Sequence, residues 1–126
     1  MTEKIKSVVS GAQATIKGLF HVQLGKVDRV QKDYGKVLIF TFSIAEGEHK
    51  GRIVKGMCTD YDPLIPKCKL YLWAKALLGR EPNKDEVIEW SDLVGAICVG
   101  EIVPKETPSG VFESVKRLFP NKFVIK

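Results

Sequence analysis

The chain has 126 residues, 44% of them hydrophobic, enough for one domain around one core, and no fixed-period repeat or low-complexity tract divides it. Twenty Lys and Arg against fifteen Asp and Glu give a net charge of +5, an excess that favours a polyanionic partner without requiring one. Met1 to Gly11 carries Glu3 among its lysines and clusters only Val8 and Val9, and no later run nears the roughly 20 apolar residues of a membrane span, so the expectation is a soluble, cytoplasmic protein with no membrane contact.

Residues 1–15 form an N-terminal arm, flexible or a short helix, ahead of one domain over 16–126. Phe20, Val22 and Leu24 alternate, Gly25 intervenes, and the pattern resumes out of phase at Val27, which predicts a first strand over Phe20–Val30 bent by a bulge. The polar run Gln31–Gly35 reads as a hairpin loop. A second strand follows over Lys36–Ile44, with Leu38, Phe40, Phe42 and Ile44 on one face and Ile39, Thr41 and Ser43 on the other. After a turn at Glu46–Gly51, Arg52–Thr59 makes a third strand. Both of its rows, Ile53, Lys55, Met57 and Val54, Gly56, Cys58, contain apolar residues, so either could face inward. Gly56 leaves room there for close approach by a backbone or a ligand.

Pro63 and Pro66 end the strand pattern, with Pro66 suited to a helix start. From Lys67 to Leu78 the period changes: Leu70, Trp73, Ala74, Leu77 and Leu78 form the stripe of an amphipathic helix that Gly79 can cap. A charged connection over Arg80–Trp90 and a short turn at Ser91–Gly95 lead to an almost wholly apolar strand, Ala96–Val103, ended by Pro104. Beyond a turn at Lys105–Gly110, the fifth strand Val111–Phe119 sets Val111, Glu113, Val115 and Arg117 against Phe112, Ser114, Lys116 and Leu118. The order β-β-β-α-β-β predicts a mainly β fold: a five-stranded barrel, closed to remove exposed edges, with its one helix between strands 3 and 4 plugging an open end.

The runs Tyr34-Gly35 with Leu38-Ile39-Phe40-Thr41-Phe42, Glu46-Gly47, Gly51-Arg52, Lys69 through Arg80 and Asp92-Leu93-Val94-Gly95 are similar to those of a phage- and prophage-type family of OB-fold single-stranded-DNA-binding proteins. The resemblance covers about Val22 to Phe119, and its helix signature ending Leu77-Leu78-Gly79-Arg80 is the most specific part. It implies an OB-type barrel and a role in replication or recombination of a phage or mobile element. One departure is Met57-Cys58-Thr59-Asp60, where a Trp or a hydroxyl-rich segment is expected.

Binding an unpaired strand requires positive charge along the phosphates and flat aromatic faces for the bases. In an OB fold these converge on strands 2 and 3 and on the first and last hairpin loops. The expected nucleic-acid-binding residues are Arg29, Lys32, Tyr34 and Lys36 around the first loop, Arg52 and Lys55 on the third strand, and Lys105, Phe112, Lys116 and Arg117 in the last hairpin. Tyr34 is the leading stacking candidate, Phe112 is ambiguous, Phe40, Phe42 and Trp73 belong to the core, and Trp90 packs locally. Single-stranded DNA is favoured over RNA as the partner, bound largely without regard to sequence.

His21 and His49 have no nucleophile in a recognisable motif, and Cys58, Cys68 and Cys98 fit neither a disulfide framework nor a zinc site, so no catalysis, metal or cofactor is expected. The alternative is an interaction module that docks a partner subunit and does not touch nucleic acid. A homo-oligomer or a replication-protein partner is compatible with either.

Overall fold

Alternating apolar side chains build the first two strands into one long antiparallel hairpin. β1 (Gly18–Lys32) and β2 (Gly35–Ile44) are joined by a tight turn at Asp33 and Tyr34, so both strands run further into the expected loop than its polar composition implies. This computed structural model describes residues 16–60, 64–108 and 110–121; the arm 1–15 and Pro63 lie outside them. Gly25 falls between the pairs Leu24↔Phe42 and Lys26↔Thr41, which makes it the extra residue of a bulge. The bend lets the first half of β1 serve a second neighbour while its second half stays with β2.

β3 (Ile53–Thr59) pairs antiparallel with β2 and resolves the ambiguous rows. Phe40 opposes Gly56 and Phe42 opposes Val54, so Val54, Gly56 and Cys58 are buried and Ile53, Lys55 and Met57 point outward. The helix, α1 (Lys69–Leu78), begins two residues later than the expected start at Lys67. The Cys68 N–H donates to the Ile65 carbonyl at 3.0 Å, which turns Pro66 and Lys67 before the helix. Cys68 is the N-cap: its Sγ accepts the Tyr71 N–H at 3.3 Å, while Gly79, at φ 75°, closes the other end by donating to the Lys75 carbonyl.

A short 3-10 turn, Trp90–Leu93, precedes β4 (Ile97–Thr107), and β5 (Gly110–Phe119) follows. β4 does not stop at Pro104. It pairs with β1 only from Ile97 to Ile102, so beyond that point no described residue takes a ladder hydrogen bond on its β1 side and a residue without an N–H is tolerated. On β5, Glu101↔Arg117 is followed by Ile102↔Val115, leaving Lys116 as an extra residue. Val115 and Leu118 are therefore both buried, and the strict alternation expected for this strand fails. β5 meets β3 in parallel at Lys55↔Ser114, which closes the order β1-β2-β3-β5-β4 into a ring. The protein is thus mainly β, a five-stranded sheet closed on itself with one helix among the described residues.

The core forms where α1 meets the ring. Leu70, Trp73, Ala74, Ala76 and Leu77 are buried, and the Trp73 ring lies edge-on to Phe40 (centroids 5.0 Å apart) and Phe42 (5.9 Å). A Cβ built on Gly56 would stand 2.2 Å from Trp73 Cη2 and 3.2 Å from Val115 Cβ. The close approach that Gly56 permits is therefore to a helix side chain. Trp90, expected to pack locally, instead lies half-buried against the core, perpendicular to Phe40 of β2 at 5.2 Å. No helix among the described residues is long and apolar enough to cross a membrane.

The three cysteines are buried and unpaired. Loss of water contact pushes the Cys58 and Cys98 thiols from their ordinary 9.0 to about 12, and for Cys58 nearby Lys69 only partly opposes this.

Two outcomes follow. Gly56→Ala is expected to cost about 2 kcal/mol by overpacking against Trp73, read as a lower urea midpoint; an unchanged midpoint would show that the indole does not depend on the missing Cβ. Because the folded state keeps protons on Cys58 and Cys98 that the unfolded chain releases above pH 9, stability should fall as pH rises from about 9 to about 12. Replacing both cysteines by Ala should flatten that slope.

Candidate nucleic-acid interface

Register decides which side chains share the outer surface of the ring. Opposite residues in paired strands lie on one face, so the outward pairs Thr41↔Lys55, Lys55↔Ser114 and Ser114↔Val103 make a single row across β2, β3, β5 and β4. β3 and β5 run parallel and step together, so two residues back along each lies a second row: Ser43, Ile53, Phe112 and Lys105. Each row holds one lysine, and Ile53 (58% exposed) and Phe112 (54%) stand open between the outer strands. On the other side of the first row is the pair Ile39↔Met57.

Tyr34 joins this surface from the β1–β2 turn. Its ring is 70% exposed and its hydroxyl lies 3.9 Å from the Met57 Sδ, so the side chain leans toward the outward row of β3. Tyr34, Lys55, Lys105 and Phe112 are thus the expected residues that the fold gathers on one face.

The remaining expected residues are disposed differently. Arg29 opposes Leu38, a core residue, so it leaves the hairpin from the other face, and its Nε lies 2.7 Å from an Asp60 carboxylate oxygen. Lys36 opposes Gln31 and shares that face by the same alternation, whereas Lys32, opposite Gly35 at the end of the hairpin, is in phase with the outward pairs Asp28↔Ile39 and Lys26↔Thr41 but lies beyond the two rows. Arg52 is held by Glu113 in a largely enclosed ion pair that ties the start of β3 to β5. Arg117 donates from Nε and Nη2 to the two Glu101 oxygens at 2.7 and 3.1 Å. That fork holds the Glu101 carboxyl below its ordinary range and raises the Arg117 guanidinium, with Lys116 adding a smaller pull on Glu101. Of the ten expected residues, four therefore stand together: Arg29, Arg52 and Arg117 are held by carboxylates, Lys36 lies on the other face, Lys32 stands at the far end of the hairpin, and Lys116 is the extra residue of β5.

Ile53 and Met57, which complete the surface, were not among the expected site residues. Their signal in the sequence is the two-sided apolar pattern of the third strand, and only pairing with β2 shows which row is outside. Among the described residues no three His, Cys, Asp or Glu side chains cluster as metal ligands. No family model and no curated protein matches the chain.

The Arg52–Glu113 pair crosses the closing seam of the ring and leaves the second Glu113 oxygen, Oε2, enclosed without a hydrogen-bond partner. Glu113→Ala should therefore destabilise by about 2 to 3 kcal/mol in chemical denaturation, since it takes the opposite charge away from a largely enclosed guanidinium. The double change Arg52→Met, Glu113→Leu should recover most of that loss, and a double variant as unstable as the single one would contradict this account.

Proposed function

We propose that this protein is an OB-type barrel that binds single-stranded nucleic acid, DNA in preference to RNA and largely independent of sequence. The proposed site is the outer face of β2, β3, β5 and β4. The observation that carries the reading is the exposure of two aromatic rings, Tyr34 and Phe112, on the same face as Lys55 and Lys105. A folded chain gains nothing by leaving aromatic rings in water, whereas an unpaired base stacks on such a ring whatever its identity. Lysines beside the rings supply the charge that follows the phosphates.

Two further points support it. The strand order β1-β2-β3-β5-β4 with α1 between β3 and β4 is the arrangement expected of an OB fold, and the face in question lies where such folds take oligonucleotides. The resemblance to phage-type binding proteins agrees in direction and suggests service in replication or recombination of a mobile element. No step of this reading needs a catalytic group, a metal or a cofactor.

The exposed apolar residues Ile53, Met57 and Phe112 favour one second reading, in which the same face docks a protein subunit. The two separate by salt: a complex that survives high salt belongs to the second reading.

Titration of a fluorescent oligo-dT should show binding that weakens steeply as salt rises. Tyr34→Ala and Phe112→Ala should each weaken it by about 5- to 150-fold, equivalent to losing about 1–3 kcal/mol of stacking, with the thermal melt unchanged. Binding that is absent, or indifferent to salt, would remove the proposal.

A further inference from the structure

The cations of this protein fall into two sets, and the division bears on how the proposed site would work. Each of the three arginines around the barrel is engaged by a carboxylate: Arg29 by Asp60, Arg52 by Glu113 and Arg117 by Glu101. Two of these contacts link separate strands, Arg52 across the β3–β5 seam and Arg117 across the β4–β5 ladder. Lys55 and Lys105, in contrast, are exposed on the outer rows and make no ion pair with any described residue.

A guanidinium paired with a carboxylate contributes little net charge to a passing phosphate, because the pair as a whole is neutral and two of its donors are already held. An unpaired ammonium keeps its counterions until a phosphate displaces them, and that release drives binding. Strand spacing and residue rise set the Cα atoms of Lys55 and Lys105 roughly 12 Å apart, two strands over and two residues along. Between them on the same face lie Ile53 and Phe112.

Resting on the proposed nucleic-acid reading, we infer that phosphate contact on this face is made by lysines, centred on Lys55 and Lys105. Arg52 and Arg117 are positioning residues, which fix the strands that carry the site, and Glu101 restrains Arg117 from adding to the charge. The site therefore binds through mobile point charges and is built for weak sequence preference, since no free guanidinium fork is left on it to read base edges.

The experiment is the salt dependence of oligo-dT binding by the full chain and its variants, with a thermal melt for each. Lys55→Ala and Lys105→Ala should each reduce the slope of log K against log salt by about 0.7, and Lys55→Arg should restore it. The neutral double change Glu101→Gln, Arg117→Gln should leave the slope at its starting value. Glu101→Gln alone, which releases Arg117, should tighten binding and steepen the slope. If the double variant loses slope as Lys55→Ala does, Arg117 contacts phosphate and the assignment is overturned. If the lysine variants keep the full slope, it is overturned as well. A wild-type chain that shows no salt-dependent binding removes the nucleic-acid reading itself, and this assignment with it.

Discussion

The fit of Trp73 over Gly56 is the contact on which the rest of the structure depends. A strand residue without a side chain opens a slot in the wall of the ring, and the largest side chain of the helix fills it, against Phe40, Phe42 and Val115. This single insertion fixes how deep α1 sits, which row of β3 faces inward, and hence which residues of β3 reach the surface. Interiors at crystal-like density tolerate neither a void nor a collision at such a point. The outward presentation of Ile53, Lys55 and Met57 is thus a consequence of an event inside the barrel.

Ring closure is the less secure half of the design. β1, β2 and β3 are joined by long antiparallel ladders between chain neighbours, whereas β3 and β5 share a parallel register at Lys55 and Ser114 alone. Evenly spaced, slanted parallel bonds hold less per residue than antiparallel ones. The Arg52–Glu113 pair and the helix, which packs on both strands, reinforce that seam. The proposed binding face straddles the same seam, so the integrity of the site and the closure of the ring are one physical question.

Much of the fold was legible because its signals are local. The face of β2, the bulge at Gly25, the helix stripe and the cap at Gly79 each follow from spacing within a few residues. The site was legible in part only. Tyr34 and Phe112 stand out as aromatic residues in polar hairpins, but the fate of Arg29, Arg52 and Arg117 depends on Asp60, Glu113 and Glu101, partners that only tertiary pairing identifies. The course of β4 through Pro104 was hidden for the same reason: whether a missing N–H matters depends on which neighbour is present, and the β1 ladder reaches only as far as Ile102. The extra residue at Lys116 likewise arises from pairing with β4, so no period in β5 itself announces it.

That early end of the β1 ladder has a further consequence. From Val103 onward β4 pairs with no described residue on its β1 side, and an edge of that kind is a template on which a second chain can add a strand and begin an aggregate. Here the edge reads Val-Pro-Lys-Glu: the proline denies an incoming strand one hydrogen bond, and the two charges would have to be brought against it in a growing sheet. Lys105 therefore stands at a point where two demands coincide, since a cation suited to hold a polyanion also keeps one molecule of this protein from polymerising onto the next.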